Sequence, residues 1–210
     1  MNNVVTVVTM LFLLFRIKNK IMKYGRYLLS ALLLANTLAC SDADSLYCRY
    51  PCRFVFNTNT HSHSAALMAA ATGRGVFCSV TTTMHGGATY YAFKTNMGTS
   101  DEVIFTAEDQ RSTVLLGLNN RIIVGNGNLD DPTTFYAYDG ECPNCFSPDA
   151  IPVHSYPLTL TASGMAQCNV CHRQYNLNTG GNVVAGDNGK KLNRYRSRYV
   201  AGNGVVSVVN

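Results

Sequence analysis

Two C-x-x-C pairs, Cys142-Pro-Asn-Cys145 and Cys168-Asn-Val-Cys171, constrain the fold of this chain more than any other stretch. Each pair lets two sulfurs point to one side of a tight turn, so two such turns facing each other supply a tetrahedral cage of four sulfurs. Pro143 and Asn144 favour a turn between the first two. The cage suits zinc or iron. It leaves no coordination position open to a substrate, which points away from hydrolytic metal chemistry and toward a structural or one-electron role. The fold must then bring residues 142 and 168 together across a 22-residue gap, residues 146–167, slightly longer than the usual zinc-ribbon spacing.

Two other chemistries fit the same cysteines. Four exported thiols can close as two disulfides with no metal, and Cys168-Asn-Val-Cys171-His172 matches the attachment pattern of a c-type haem. Haem would leave Cys142, Cys145 and the glycine-rich run that follows the second pair without a purpose. Four unrelated free thiols would leave both spacings to chance.

The residues from Cys171-His-Arg-Gln-Tyr-Asn-Leu-Asn-Thr-Gly-Gly181, then Gly186 and Lys191-Leu-Asn-Arg-Tyr195, resemble the second half of a Rieske domain. There the second Cys-x-x-His is followed by an aromatic, an Asp or Asn, a Thr-Gly turn and a returning strand ending in Leu-x-x-Tyr. The lead-in Thr134-Phe-Tyr-Ala-Tyr-Asp-Gly-Glu-Cys142 is similar to the strand that delivers the first Rieske ligand pair, and the resemblance covers roughly residues 115–209. In that family each pair holds one Cys and one His, and the first is Cys-x-His. Here Cys145 and Cys171 stand at the histidine places and the first pair is one residue longer. Histidine ligation is what raises a Rieske cluster's potential, so a high-potential centre does not follow.

The Rieske cluster-binding subdomain is itself rubredoxin-like, and the gap between the pairs likewise resembles rubredoxin-type knuckles. The resemblance implies a mainly β fold of antiparallel Rieske-like sheets with one or two short helices. It also implies a rubredoxin-like metal-binding subdomain at about residues 139–180. One metal centre would sit at Cys142, Cys145, Cys168 and Cys171, holding iron, a 2Fe-2S cluster or zinc.

The first 39 residues hold five basic groups (Arg16, Lys18, Lys20, Lys23, Arg26) and no acid, which accounts for the whole formal charge of +5. Met22-Lys-Tyr-Gly-Arg26 followed by Leu28 to Leu38 reads as the n-region and h-region of a secretory signal, with Met22 as the start of translation. The earlier apolar run, Val4 to Phe15, is too short to span a bilayer comfortably. Thr37-Leu-Ala-Cys40 resembles a bacterial lipobox, with Thr where Leu is usual. Lipid on Cys40 would anchor the chain to a membrane of the cell envelope, on its periplasmic or surface side, without crossing it. An ordinary cleavage junction is the alternative. Residues 40–47 then form a polar tether, in which Asp44-Ser-Leu46 resembles a short O-glycosylation motif, and residues 48–210 form a single β domain.

From Cys40 onward 12 basic and 12 acidic groups balance, which removes any compositional case for nucleic acid. The partners implied are the membrane and a redox or other envelope protein. The balance is uneven, −5 over residues 40–149 and +5 over residues 150–210. Arg173 or Lys190 could stabilise a doubly negative cage of four thiolates around a divalent ion; alternatively these basic groups line a solvated strand face.

Low charge, 12 Tyr and abundant Val, Thr and Gly favour antiparallel strands. Arg53–Asn57 predicts a half-buried strand, and residues 65–71 a short helix capped by Ser62 or Ser64. Gly75 to Thr82 and Thr89 to Thr95 predict a hairpin turning at Met84-His-Gly-Gly87. Residues 107–116 predict a helix from a Thr106 N-cap to Gly117, with Val114, Leu115 and Leu118 against a sheet. Arg121 to Gly125 predicts a buried strand, the glycines that follow a loop and not a phosphate site, and Asp187-Asn-Gly189 a hairpin turn. Lys191 to Val200 and Val205 to Val209 complete the sheet. His61 and His63 read as solvated loop residues, as does His85. Cys48, Cys52 and Cys78 permit at most one disulfide, Cys78 with Cys48 or Cys52, or remain buried thiols. No G-x-S-x-G or H-E-x-x-H motif is present, so no catalytic residue is assigned.

Overall fold

Alternation of side chains along Arg53-Phe-Val-Phe-Asn57 turns Phe54 and Phe56 fully inward and leaves Val55 exposed, as the period of two in an extended chain requires. The computed structural model describes residues 46–210, in which Tyr47–Asn210 is one compact unit. The signal-like segment, Cys40 and residues 41–45 of the tether lie outside the described residues. In chain order the elements are β1 (Arg53–Asn57), α1 (Ala65–Thr72), β2 (Phe77–His85), β3 (Ala88–Thr95), β4 (Ser100–Ile104), α2 (Ala107–Arg111), β5 (Arg121–Asn126), β6 (Phe135–Asp139), β7 (Leu158–Leu160), β8 (Met165–Cys168), β9 (Gln174–Asn176), β10 (Asn182–Ala185), β11 (Arg194–Tyr195), β12 (Ser197–Val200) and β13 (Val205–Val209). The fold is mainly antiparallel β, as the sequence implies, and no helix among the described residues is long and apolar enough to cross a membrane.

Three sheets form among the described residues: β1-β13-β12, β11-β6-β5-β2-β3-β4, and β10-β9-β8-β7. The six-stranded sheet serves two cores because its pleat sends alternate residues to opposite faces. Cys78, Ile122, Val124 and Ala137 join Phe54, Phe56, Val206, Val208 and the α1 residues Leu67 and Ala70 in the first core. Phe77, Ile123, Tyr136 and Tyr138 face the other way, onto Leu158, Ala166, Tyr175 and Leu177 of the four-stranded sheet and its following turn. The predicted hairpin is β2–β3, closed by Gly86 and Gly87, both at positive φ (58° and 77°) as a two-residue hairpin turn demands. Ser64, one of the two predicted caps, starts α1 by accepting the Leu67 N–H.

The helix expected over residues 107–116 stops at Arg111. A capping box between Thr106 and Asp109 satisfies its N-terminus, but the Ser112 N–H closes back on Glu108 and Asp109. Ser112, Thr113 and Val114 are weak helix formers, and Leu115 instead exchanges two backbone hydrogen bonds with Arg53, at 2.8 and 3.0 Å. In this extended frame Leu116 is the buried residue and Leu115 is exposed, contrary to the helical expectation.

Asp187-Asn-Gly189 is not a hairpin turn. β10 pairs only with β9, and the stretch after it is held by the Arg173 guanidinium, which donates to the Asp187 and Asn188 carbonyls. Nor is Lys191 to Val200 one strand. β11 belongs to the six-stranded sheet and β12 to the three-stranded one, with Arg196 between them. Cys48, Cys52 and Cys78 are free thiols, so none of the disulfides considered forms; burial pushes Cys52 and Cys78 up to about 12.

His61 corrects the expectation of a solvated loop histidine. Its ring stacks on Phe56 at 4.2 Å, its side chain is 4% exposed, and Nε2 lies 2.8 Å from Asp109 Oδ2. His63 remains exposed. His85 also does more than occupy a turn, stacking on Tyr90 at 4.1 Å and pairing with Glu102 at 2.9 Å.

Burial pushes the Asp109 carboxyl up, but the Thr106 hydroxyl and N–H, the Tyr91 hydroxyl and His61 overcome it and hold it below 3.8. A depressed carboxyl contributes stability above its unfolded value, and that contribution is lost as pH falls through the folded one. Melting temperature is therefore expected to fall below about pH 4 in the wild type. Asp109→Asn is expected to flatten this acid limb while lowering stability at neutral pH; a parallel acid limb in the variant would contradict the assignment.

Candidate metal centre

β6 ends at Asp139, whose carboxylate turns the chain out of the sheet. Oδ1 accepts the Glu141 N–H at 2.8 Å, while Oδ2 accepts the Leu118 N–H at 2.8 Å and the Tyr195 hydroxyl at 2.6 Å. Glu141, 2% exposed, then anchors the neighbouring loop. Its carboxylate accepts Asn119 Nδ2 at 2.7 Å, Ser155 Oγ at 2.6 Å and the Tyr156 N–H. The Cys142 N–H in turn donates to the Tyr156 carbonyl at 3.0 Å, fixing where the first knuckle starts.

The two knuckles share one backbone hydrogen bond, from the residue after the second cysteine to the carbonyl of the first. The Cys142 carbonyl accepts the N–H groups of Cys145 (3.1 Å) and Phe146 (2.8 Å). Cys168, at the end of β8, has a carbonyl that accepts the His172 N–H (3.0 Å) and an N–H that donates to the Arg173 carbonyl (3.0 Å). His172 adopts φ 58°, the left-handed conformation that lets β9 return beside β8.

All four sulfurs lie within 4.8 Å of one another, with Cys142–Cys171 at 3.7 Å and Cys145–Cys168 at 3.8 Å. A metal–sulfur bond of about 2.3 Å makes the edge of a regular tetrahedron about 3.8 Å. Two opposite edges of the array therefore already have the length that one four-coordinate ion requires, and the all-thiolate donor set fits zinc or iron. The same distances are far from the ~2.05 Å of a disulfide bond, and all four cysteines are free. Cys168 and Cys171 face Cys145 and Cys142, while the His172 side chain is exposed, so the haem-like pentapeptide is one half of the sulfur cluster.

Cys142 and Cys168 are buried in the second core; Cys145 and Cys171 are half-buried. Tyr175 Oη lies 3.2 Å from Cys142 Sγ and accepts Asn144 Nδ2 at 2.9 Å, and toward a metal-bound thiolate the phenolic O–H would be the donor. Asn144 also donates to the Lys190 carbonyl and accepts its N–H, each at 2.9 Å, so Lys190 serves the site through its backbone. Burial opposes ionisation of Cys171, yet the Arg173 backbone N–H and guanidinium bring that thiol down to about 6. Burial pushes Cys142 and Cys145 up.

The sequence-predicted ligands are thus brought together, and Arg173 stands where the charge-compensation alternative put it. Glu141, Asn144 and Tyr175 were not assigned from sequence as supports of the site. A lone acid next to a ligand cysteine, and an aromatic between two polar residues shortly after the second pair, were the available signals.

His172→Gly is expected to retain metal in full and to raise or leave unchanged the melting temperature, because glycine removes about 1 kcal/mol of left-handed strain at this position. Loss of metal in that variant would make the imidazole a ligand and contradict the four-sulfur assignment. No protein-family model, curated protein or solved structure matches this chain.

Proposed function

We propose that the protein is a lipid-anchored extracytoplasmic metal protein, with Cys40 as the acylated residue and a Rieske-like fold whose four-cysteine knuckles hold one iron ion for electron transfer. One observation carries the metal centre: four sulfurs gathered within 4.8 Å, two of them only half-buried; the anchor rests on the lipobox-like Thr37-Leu-Ala-Cys40 alone. A 2Fe-2S cluster would divide the sulfurs between two irons and spread them into a wider array, so the compactness favours a single ion. Bound iron would supply a one-electron couple. Cys142, Cys145, Cys168 and Cys171 hold the ion, the Tyr175 hydroxyl withdraws charge from the Cys142 sulfur, and the Arg173 guanidinium offsets the negative charge of the thiolates. The half-buried edge at Cys145 and Cys171 lies at the surface, where a redox partner of the cell envelope can approach.

Structural zinc is the second reading, favoured by the way Glu141 and Cys142 tie the centre into the second core. An ion there fastens the first knuckle to the four-stranded sheet. Residues 41–210 purified anaerobically from an iron-replete host should show visible charge-transfer bands and a reversible one-electron reduction. A colourless protein with one equivalent of zinc would overturn electron transfer and leave the structural reading.

A further inference from the structure

The outer face of the three-stranded sheet joins basic and apolar groups in two rows. Arg53 lies opposite Val209, whose N–H donates to the Arg196 carbonyl; Val55 lies opposite Ser207, which lies opposite Arg198. The inward face is used by Phe54, Phe56, Val206 and Val208, so these rows project to solvent. Arg53, Arg196 and Arg198 are exposed, as are Val55 (44%) and Val209 (49%). No carboxylate is within ion-pair distance of any of the three arginines among the described residues. Glu108 lines a cavity of about 230 Å³ beside Arg53 and Val55, and Asp109, in the same cavity, is engaged by His61.

The chain enters the domain at this face. The ring of Tyr47 lies 5.0 Å from the Arg196 guanidinium and 5.3 Å from that of Arg194, and the Cys48 N–H donates to the Arg194 carbonyl. Cys40 precedes Tyr47 by seven residues. Even a fully extended chain of that length reaches no more than about 25 Å. A lipid on Cys40 would therefore hold the Tyr47 side of the domain close to headgroups, with Arg196 against the Tyr47 ring.

We propose that the Arg53–Arg196–Arg198 face docks on an anionic lipid surface. This rests on the lipid-anchor reading for its orientation. Unpaired guanidinium groups bind anionic headgroups, and Val55 and Val209 between them enter the interfacial layer. The face is a second membrane attachment beside the lipid, and it fixes the orientation of the domain on the membrane.

The test uses lipid-free residues 41–210, which include the whole compact unit and both of its cores. Co-sedimentation with phosphatidylcholine vesicles containing phosphatidylglycerol is compared with pure phosphatidylcholine, at low and high salt. Binding is expected to the anionic vesicles only, and to weaken with salt. Each basic group at an anionic surface contributes about fivefold, so Arg53→Gln, Arg196→Gln and Arg198→Gln together should lower the partition about a hundredfold with the melting temperature unchanged. Equal binding to both vesicles, or wild-type binding by the triple variant, would overturn the proposal. The intact mass of the full-length protein extracted from membranes reports the anchor separately. An unacylated Cys40 with anionic binding intact removes the anchor and leaves the surface, whereas an acylated Cys40 with no anionic preference removes the surface alone.

Discussion

Replacing Cys142 by serine is expected to abolish metal retention and to lower stability by at least about 5 kcal/mol, since structural ions in four-ligand sites contribute about 10–16 kcal/mol to folding. Whole-domain stabilities are only about 5–15 kcal/mol, so the four-stranded sheet should lose its fixed packing. The size of the effect follows from position. Cys142 is fully buried in the second core, beside Cys168, Tyr175 and Leu177, and its sulfur lies 3.7 Å from that of Cys171. The variant should melt like wild type treated with a chelator. Cys48→Ser, outside the cluster, should keep the metal. If Cys142→Ser melted with untreated wild type, the ion would have no part in holding the fold.

Glu141→Ala is expected to destabilise by about 3–5 kcal/mol, because three donors, Asn119 Nδ2, Ser155 Oγ and the Tyr156 N–H, lose a buried carboxylate together. At about 2–4 °C per kcal/mol for a domain of this size, the melting temperature should drop by roughly 10 °C. Glu141→Gln separates charge from shape. Its amide would still accept through one oxygen, but its NH2 group would face either the Tyr156 N–H or the Ser155 and Asn119 donors. It should therefore recover only part of the loss. Because the Cys142 N–H bonds the Tyr156 carbonyl, both variants should also weaken metal retention on dilution with chelator. A drop of less than about 2 °C for Glu141→Ala would mean that the loop after Phe146 is not anchored by this residue.

Local chemistry made part of the molecule legible in its sequence. The four cysteines announce their own association because paired turns need only two residues between ligands. The hairpin at Gly86-Gly87 and the capped start of α1 follow from backbone rules that act over a few positions. The β11–β12 break at Arg196 was hidden, since both segments carry similar strand patterns and only the two different sheets they join separate them. The short α2 was misjudged because the competing bridge from Leu115 to Arg53 spans 62 positions. His61 stacks on the buried ring of Phe56 but depends also on Asp109, 48 residues away, so the polar loop around it gave no signal of its burial. Tyr175 belonged to a legible alternation, but its hydroxyl gained a role only when Asn144 and Cys142 were placed beside it.

The most direct test of a single four-sulfur metal centre is native mass spectrometry of anaerobically purified residues 41–210, followed by the same measurement after acidification. One metal ion per chain, released as the thiolates take up protons, is the predicted result. A metal-free chain lighter by four hydrogens, its cysteines closed as two disulfides, would contradict it.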